Sequence, residues 1–548
     1  MILDGRTVTV DTKVDTDLCI VGGGPAGIVL ALQFATSSQR VCLLESGGAQ
    51  PDEDSLDIAK GENVGLEYYD LEESHARVLG GLSQIWGGWL RPLEPFDMEQ
   101  RPWVFLSGWP FEYSELEPYY QQAQALLSDT PFDYAPSDWT AQTPPLYTPP
   151  VAGPDLQVAI WQKLNPPFRF GDAFRAQLER ARNISVYLHS SALRVVPDSG
   201  GQNIERVDVV TRAGNHFTVS AKQFVIAAGG FGSARLLLNS EVGGQAVGRY
   251  FMEHPHLPVA RVNVDRTSKR SETMPAIDYG LRGAPARLAL ERPQRAIKCA
   301  YALTPAAQQQ HEVLNISMHL RGYSRPTPAP ASRLAAGFRQ PVKTLRAMPM
   351  RGEFGLLTQT TAFLRTLPTT VAVGYERFLK RPDAFEIYVQ AEQAPDPASR
   401  LSLSDEVDAL GMPRLRLDWR LGDLEKATLV DALTTLDAAL SEAGVGRVEP
   451  YEWVSADAAD WGADLSGGHH HLGTTRMSGS MKHGVVDKNT RVHEIANLYV
   501  TGPSVFPTGG ISNPMLTVVA LAFRLADHLR HKAERPAEIP PPSKSKQG

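Results

Sequence analysis

The chain has 548 residues, 42% hydrophobic and 21% charged, and its 61 acids against 54 bases leave a net charge of −7. That balance excludes a globally disordered chain and argues against a nucleic-acid binder, which would carry a basic excess. The three cysteines, Cys19, Cys42 and Cys299, stand at spacings that give neither a disulfide framework nor a CxxC metal or haem site.

The first residues, MILDGRTVTVDTKVDTD, have no basic n-region and no apolar run, so no signal peptide is expected. No window of 18 apolar residues exists, so no transmembrane helix is expected and the localisation read from sequence is cytoplasmic. Leu18-Cys19-Ile20-Val21 is a continuous apolar run, as a buried parallel strand requires. Gly22-Gly23-Gly24-Pro25-Ala26-Gly27 follows, then the helical pattern IVLALQFATSS, a second apolar run Val41–Leu44, and Glu45, 18 residues after Gly27. Strand, G-x-G-x-x-G turn, helix, strand and acid make a dinucleotide-binding unit. Gly22 makes the turn, Gly24 lets the backbone approach a pyrophosphate at the helix N-terminus, Gly27 permits close packing, and Glu45 holds ribose hydroxyls. An acid at that place fits FAD or NAD better than NADP. Cys19 and Cys42 then lie on neighbouring buried strands as inert packing residues.

Arg77–Leu93, RVLGGLSQIWGGWLRPL, is dense in glycine and tryptophan. It suits a backbone pressed against a flat ring, through Gly81, Ser83, Trp86 and Gly87. ISVYLHSSALRVV (184–196) reads as a strand pair that brings Ala192 near an adenine. KQFVIAAGGFGSARLLLNS (222–240) reads strand, turn, helix, with Ala228 and Gly229 at a second approach to the cofactor. Arg321–Arg381 holds 11 Lys or Arg and 2 acids. It is either a basic amphipathic arm for a peripheral partner, a membrane surface or another subunit, or a solvated cover over the substrate entrance. FEIYVQAEQ (385–393) alternates as a strand does, and Gln393 is a candidate substrate contact or a plain sheet residue. GGHHHLGTTRM (467–477) is too internal and too short for a tag. Consecutive histidines in a turn cannot all face one ion and no acid or cysteine cluster accompanies them, so no metal is expected. NLYVTGPSVFPTGGISNPMLTVVALAFRLADHL (497–529) reads as a strand, a Gly- and Pro-rich turn containing Gly502, then an amphipathic helix starting near Pro514 and Met515. Residues 532–548 read as a disordered tail.

These segments together resemble the glucose–methanol–choline (GMC) oxidoreductases. The likeness is carried by the N-terminal fingerprint, GGLSQIWGG, VGRYFMEHP, and HHLGTTRM with NLYVTGPSVFP and NPMLTVVALAFRLADHL. AEQAPDPASRLSLS (391–404) is similar to the bacterial branch related to pyranose oxidases, glucoside 3-dehydrogenases and C-glycoside 3-oxidases. The resemblance implies an α/β fold: a Rossmann-like FAD domain of the p-hydroxybenzoate hydroxylase type from 1–110, 180–256 and 456–531. An α+β substrate domain with a mainly antiparallel sheet would come from 111–179 and 257–455. It implies that His471, in an H-x-G-T-x-R-M context, is the catalytic base and Asn513 its partner. His469 and His470 are read as turn residues or as residues supporting the site from behind, His254 and His256 as structural contacts, and Arg476 as a loop anchor. Fungal pyranose oxidases bind flavin covalently through a histidine at the position of Ile85, so FAD here is expected to be noncovalent. The implied reaction takes a secondary alcohol of a sugar or glycoside to a ketone, with the proton to His471 and hydride to flavin N5. The acceptor of the electrons stays open among O2, a quinone and a cytochrome, as do C2 against C3 and the oligomeric state. The alternatives are a dehydrogenase of a non-sugar alcohol, such as a sterol or polyketide hydroxyl, and a non-catalytic binding protein on the same fold.

Overall fold

The computed structural model describes residues 1–128, 130–136, 153–265, 295–323, 384–455 and 460–534. Most of the basic stretch 321–381 lies outside the described residues. Two sheets organise the rest. The first has eight strands and begins where the apolar runs predict it. Thr12–Val21 lies between Val41–Leu44 and His216–Ile226, all parallel, with Cys19 directly opposite Cys42. Ile184–Leu188 and Ile2–Asp4 extend one side, again in parallel. Ile204–Thr211 and Ser190–Pro197 extend the other as an antiparallel meander. Leu498–Val500 returns from far along the chain to pair with Phe224–Ile226. Leu18 to Val21 and Val41 to Leu44 are almost wholly buried, which is why they read as unbroken apolar runs rather than as alternation.

Two helices cover this sheet and close the chain on itself. Pro25–Gln33 starts directly after the glycine turn, with proline in its first turn where the missing N–H costs nothing. Met515–Glu534 shares one hydrophobic core with it, and Arg530 donates to the Gln33 carbonyl at 2.9 Å. The last helix continues to Glu534, so the first residues assigned to a disordered tail are helical.

The second sheet has seven antiparallel strands in the order Gly446–Pro450, His256–Val264, Ala384–Ala391, Ile316–Tyr323, Arg295–Leu303, Leu156–Leu164, Trp89–Leu90. Its two faces differ in chemistry. Ile316, Met318, Leu320, Phe385, Ile387 and Val389 turn to the helix Asp423–Glu442, which brings Leu429, Leu433 and Leu436 against them. The alternate residues of the same strands, Ser317, His319, Tyr388 and Gln390, share the other face with His256 and Trp161. That face roofs the carboxyl ends of the parallel strands, where ligands bind in open α/β sheets. Trp89 and Leu90 belong by sequence to the first segment of the cofactor domain, yet they pair with Lys163 and Gln162 of the roofing sheet. A third, small sheet joins Arg400–Val407, Pro413–Asp418 and Gly61–Asn63.

The glycine turn is held by contacts that tolerate no side chain. Gly22 has φ +112° and its backbone lies against Ala227, and a Cβ on Gly27 would stand 1.9 Å from the Gly22 carbonyl oxygen. Gly27→Ala must therefore push the helix off the strand. The expected loss is about 1–3 kcal/mol for overpacking, read as a lowered thermal-unfolding midpoint.

Candidate active site

A cavity of about 540 Å³ runs between the two sheets. Gly22, Gly24, Glu45, Gly81, Trp86, Gly87, Ala192, Ala228, Gly229, Gly502, Pro514 and Met515 all line it, so the expected cofactor segments converge from five separate parts of the chain. Ser83 does not line it. Its hydroxyl donates to the Gly80 carbonyl at 2.6 Å and accepts from the Phe170 amide, which fastens the loop from behind. Trp86 donates its indole N–H to the Phe168 carbonyl at 2.8 Å, which fixes the ring at the wall.

Glu45 ends its strand buried. Its two oxygens accept from the Gly23 amide (2.8 Å) and the Gly47 amide (2.7 Å). Burial raises its pKa, and those hydrogen bonds and the Arg77 charge oppose the rise. Oε1 also accepts from the Ser46 hydroxyl at 3.4 Å, and Oε2 keeps a lone pair for a ribose hydroxyl. Gly24 faces open space at the first turn of the helix, with nothing within 4 Å of where a Cβ would be.

At the opposite end the three histidines separate. In the extended run 470–472, neighbouring side chains point to opposite sides. His471 points away from Asn513. Its ring stacks on Phe231 with centroids 3.9 Å apart, and its Nε2 lies 3.0 Å from the Tyr68 hydroxyl. Tyr68 donates its single proton to Glu253 at 2.6 Å, so its oxygen accepts from His471, whose Nε2 carries the proton. The residue that meets Asn513 is His470, with its Nε2 3.1 Å from the Asn513 amide nitrogen. The pairing expected of His471 is thus made by its neighbour, and His470 is not a turn residue. The slip is one position, and in extended backbone one position reverses the face.

The hydrogen bonds also set the His470 tautomer. His254 Nε2 lies 2.9 Å from the Gly510 carbonyl oxygen, which can only accept. A neutral His254 therefore has a bare Nδ1. That atom is 2.8 Å from His470 Nδ1, so His470 donates from Nδ1 and keeps a lone pair on Nε2. Burial pushes His254 down to about 4. Burial, followed by the His254 and His256 charges, holds His470 well below the usual histidine range. Both rings are neutral near pH 7. His254 is more than a structural contact: it orients the ring that faces the cavity.

Glu253 organises the backbone here. It accepts from the amides of His254 (2.8 Å), Gly468 (2.9 Å) and His470 (2.9 Å). Burial lifts its pKa to about 7 against those donors. Glu253, His254 and His470 approach one another closely enough to hold an ion, but their facing atoms are spent on these hydrogen bonds. Gln393 does not reach the cavity. Its side-chain oxygen accepts from the Glu253 amide at 2.9 Å and the Trp419 indole at 3.0 Å, and its nitrogen donates to the Arg420 carbonyl at 2.8 Å. It is a brace behind Glu253, not a substrate contact. Arg476 donates to the carbonyls of His483 and Leu106, as a loop anchor does. Asn513 Oδ1 and His256 Nε2 are buried polar atoms at the cavity with no partner among the described residues.

Comparison with known proteins gives the class of the chain. The family model described as GMC oxidoreductase matches residues 395–522, and one described as FAD dependent oxidoreductase matches 17–275. These matches show an FAD-dependent enzyme that oxidises alcohols, with a C-terminal part similar to that of the GMC oxidoreductases. 2-Methyl-1,2-propanediol dehydrogenase of Mycolicibacterium austroafricanum is 22% identical over 94% of this chain and 95% of that protein. A C-glycoside 3-oxidase of Microbacterium trichothecenolyticum is 33% identical, over only 24% of each chain. Formate oxidase of Aspergillus oryzae superposes with a TM-score of 0.55 at 16% identity, covering 96% of this chain and 99% of that one, which shows a common fold. The glycine-lined cleft, the open Gly24 and the buried Glu45 fit an FAD. No helix among the described residues is long and apolar enough to cross a membrane.

The tautomers are directly observable. In 15N-histidine NMR at pH 7, His470 should show a protonated Nδ1 and a bare Nε2, and His471 the reverse, assigned by single His→Gln variants.

Proposed function

We propose that the chain oxidises a ring secondary alcohol of a sugar or glycoside to a ketone, with His470 as the base and Asn513 as its partner. The observation that carries this reading is the bare His470 Nε2 facing Asn513 across 3.1 Å inside the cofactor cavity. In the reaction, His470 Nε2 takes the hydroxyl proton. Asn513 donates from its amide nitrogen to the same oxygen and so stabilises the charge that grows there. The two groups now bonded to each other are the ones a carbinol oxygen would separate. FAD would be held by the Gly22–Gly24 turn and Glu45, noncovalently in this reading because Ile85 has no linking atom, and would supply the hydride acceptor. His254 keeps the proton off Nε2 before the reaction and shares the charge afterwards through its bond to His470 Nδ1. His471, stacked and donating to Tyr68, holds the loop.

The polar roof supports a polyhydroxylated substrate. His256, Gln390, Ser317, His319 and Tyr388 share one face of the sheet, and a site with fixed hydrogen-bonding groups selects substrates that satisfy them. The partial match to the C-glycoside 3-oxidase points the same way. The second reading, a non-sugar alcohol, is favoured by the full-length likeness to the propanediol dehydrogenase. A panel of glycosides and simple diols, scored by anaerobic bleaching of the flavin band, separates the two, and admitting air then tests O2 as acceptor.

His470→Ala should keep its yellow cofactor and slow flavin reduction by at least ~10²-fold, the low end for a general base. His471→Gln should lower thermal stability more than rate. If the His471 variant loses the chemistry and the His470 variant keeps it, the assignment is reversed. The base acts only when neutral, and His470 is depressed. Therefore kcat/KM should show no step from His470 in the ordinary histidine range, and a step near pH 7 should come from Glu253 and vanish in Glu253→Gln.

A further inference from the structure

The roofing sheet carries positive charge that the oxidation chemistry does not use. Lys298 and Arg321 lie on neighbouring strands and project from the face that carries Trp161 and His319. Lys298 Nζ sits between two indoles, 4.7 Å from the Trp161 ring centre and 5.1 Å from that of Trp89. The Arg321 guanidinium lies over Tyr388 at 3.2 Å. Neither cation has a carboxylate within ion-pair distance among the described residues. Glu386, directly across from Arg321 in the register, accepts from the Tyr451 hydroxyl at 2.8 Å. Arg91, the other cation on Trp161, is paired with Glu94.

This cluster adjoins the active-site cavity. Trp89 and His256 both line the cavity, and the His256 ring is 6.1 Å from that of His470 and 6.0 Å from that of Tyr388. Lys298 is half-buried with no counterion, which is costly unless an anion pairs it, and Arg321 stands exposed beside it. Burial, then the Arg321 and Arg91 charges, lowers Lys298 to about 7. The same two cations, Lys298 and Arg321, help depress His256 and His319. Aromatic flanks steady the cations but leave their N–H donors free for an oxyanion.

We propose that the alcohol this enzyme oxidises also carries an anionic group, a carboxylate, sulfate or phosphate ester, that docks between Lys298 and Arg321 while the carbinol faces His470 and Asn513. The proposal rests on the reading of the cavity as an alcohol-oxidising site and narrows its substrate class to acidic glycosides or acidic alcohols.

The test uses the FAD-loaded enzyme and two probes that differ in one charge, methyl β-D-glucopyranoside and methyl β-D-glucopyranosiduronic acid. Calorimetry measures binding and stopped-flow absorbance measures flavin reduction, in the native enzyme, Lys298→Met and Arg321→Gln. Methionine keeps an unbranched stem between the indoles, so packing survives. The uronate should bind at least ~10-fold more tightly than the neutral glycoside, as a charge-assisted hydrogen bond implies. Each substitution should shrink that ratio toward one. A native ratio of one or below, or a ratio that neither substitution moves, overturns the proposal. If neither probe reduces the flavin, the sugar reading fails, and binding still decides the anion site. Uronate or inorganic sulfate heats that vanish in Lys298→Met uphold it, and their absence in the native enzyme removes it.

Discussion

The site depends on one buried carboxylate. Glu253 gathers three backbone amides and one phenol, from His254, Gly468, His470 and Tyr68. These donors come from widely separated parts of the chain, and without them a buried acid would be costly. Their convergence sets the path of the segment 468–472 to within one residue. His469, His470 and His471 all line the cavity, and that precision decides which of them meets Asn513. Gln393 and Trp419 stand behind Glu253 and hold its own backbone in place. The geometry around His470 is thus built from the rear, by residues that do not line the cavity.

The roofing sheet shows how one pattern serves two purposes. Strict alternation sends Ile316, Met318 and Leu320 to the helix behind and Ser317, His319 and Arg321 to the cavity side. Apolar burial on one side supplies the stability that lets the other side hold neutral histidines and unpaired cations. Burial lowers His254, His256, His319 and His470, and likewise His75, His469 and His471 on the cavity wall. A near-neutral solution therefore finds them uncharged, and the positive charge of the roof comes from Lys298 and Arg321.

Much of this was legible in the sequence, and the limits have physical causes. The strand–glycine–helix–strand–acid unit needs only short-range spacing, and Gly22, Gly24, Gly27 and Glu45 fall where that spacing puts them. The cavity contacts of Ala192, Ala228, Gly229 and Gly502 follow from strand ends, which are also local. Side-chain direction in an irregular loop is not local. His469 has φ +58°, a left-handed turn that re-aims the residues after it, and no periodicity announces it. His470 and His471 were therefore indistinguishable by pattern. Gln393 failed for a related reason: its strand ends at Ala391, so the alternation that seemed to aim it no longer applies. Glu253 sits beside His254 in a short MEHPH run, and that buried acid next to a histidine was the available signal for the network.

The closure of the last helix on the first has a consequence for how the protein is made. The glycine turn at Gly22 emerges early in synthesis, but its cavity is incomplete until Leu498–Val500 joins the sheet and Met515–Glu534 packs on Pro25–Gln33. Such long-range pairing is slow and entropically demanding. Flavin capture must wait until residues 498–534 have docked on the sheet and the first helix, so a bound yellow cofactor reports that these distant segments have come together.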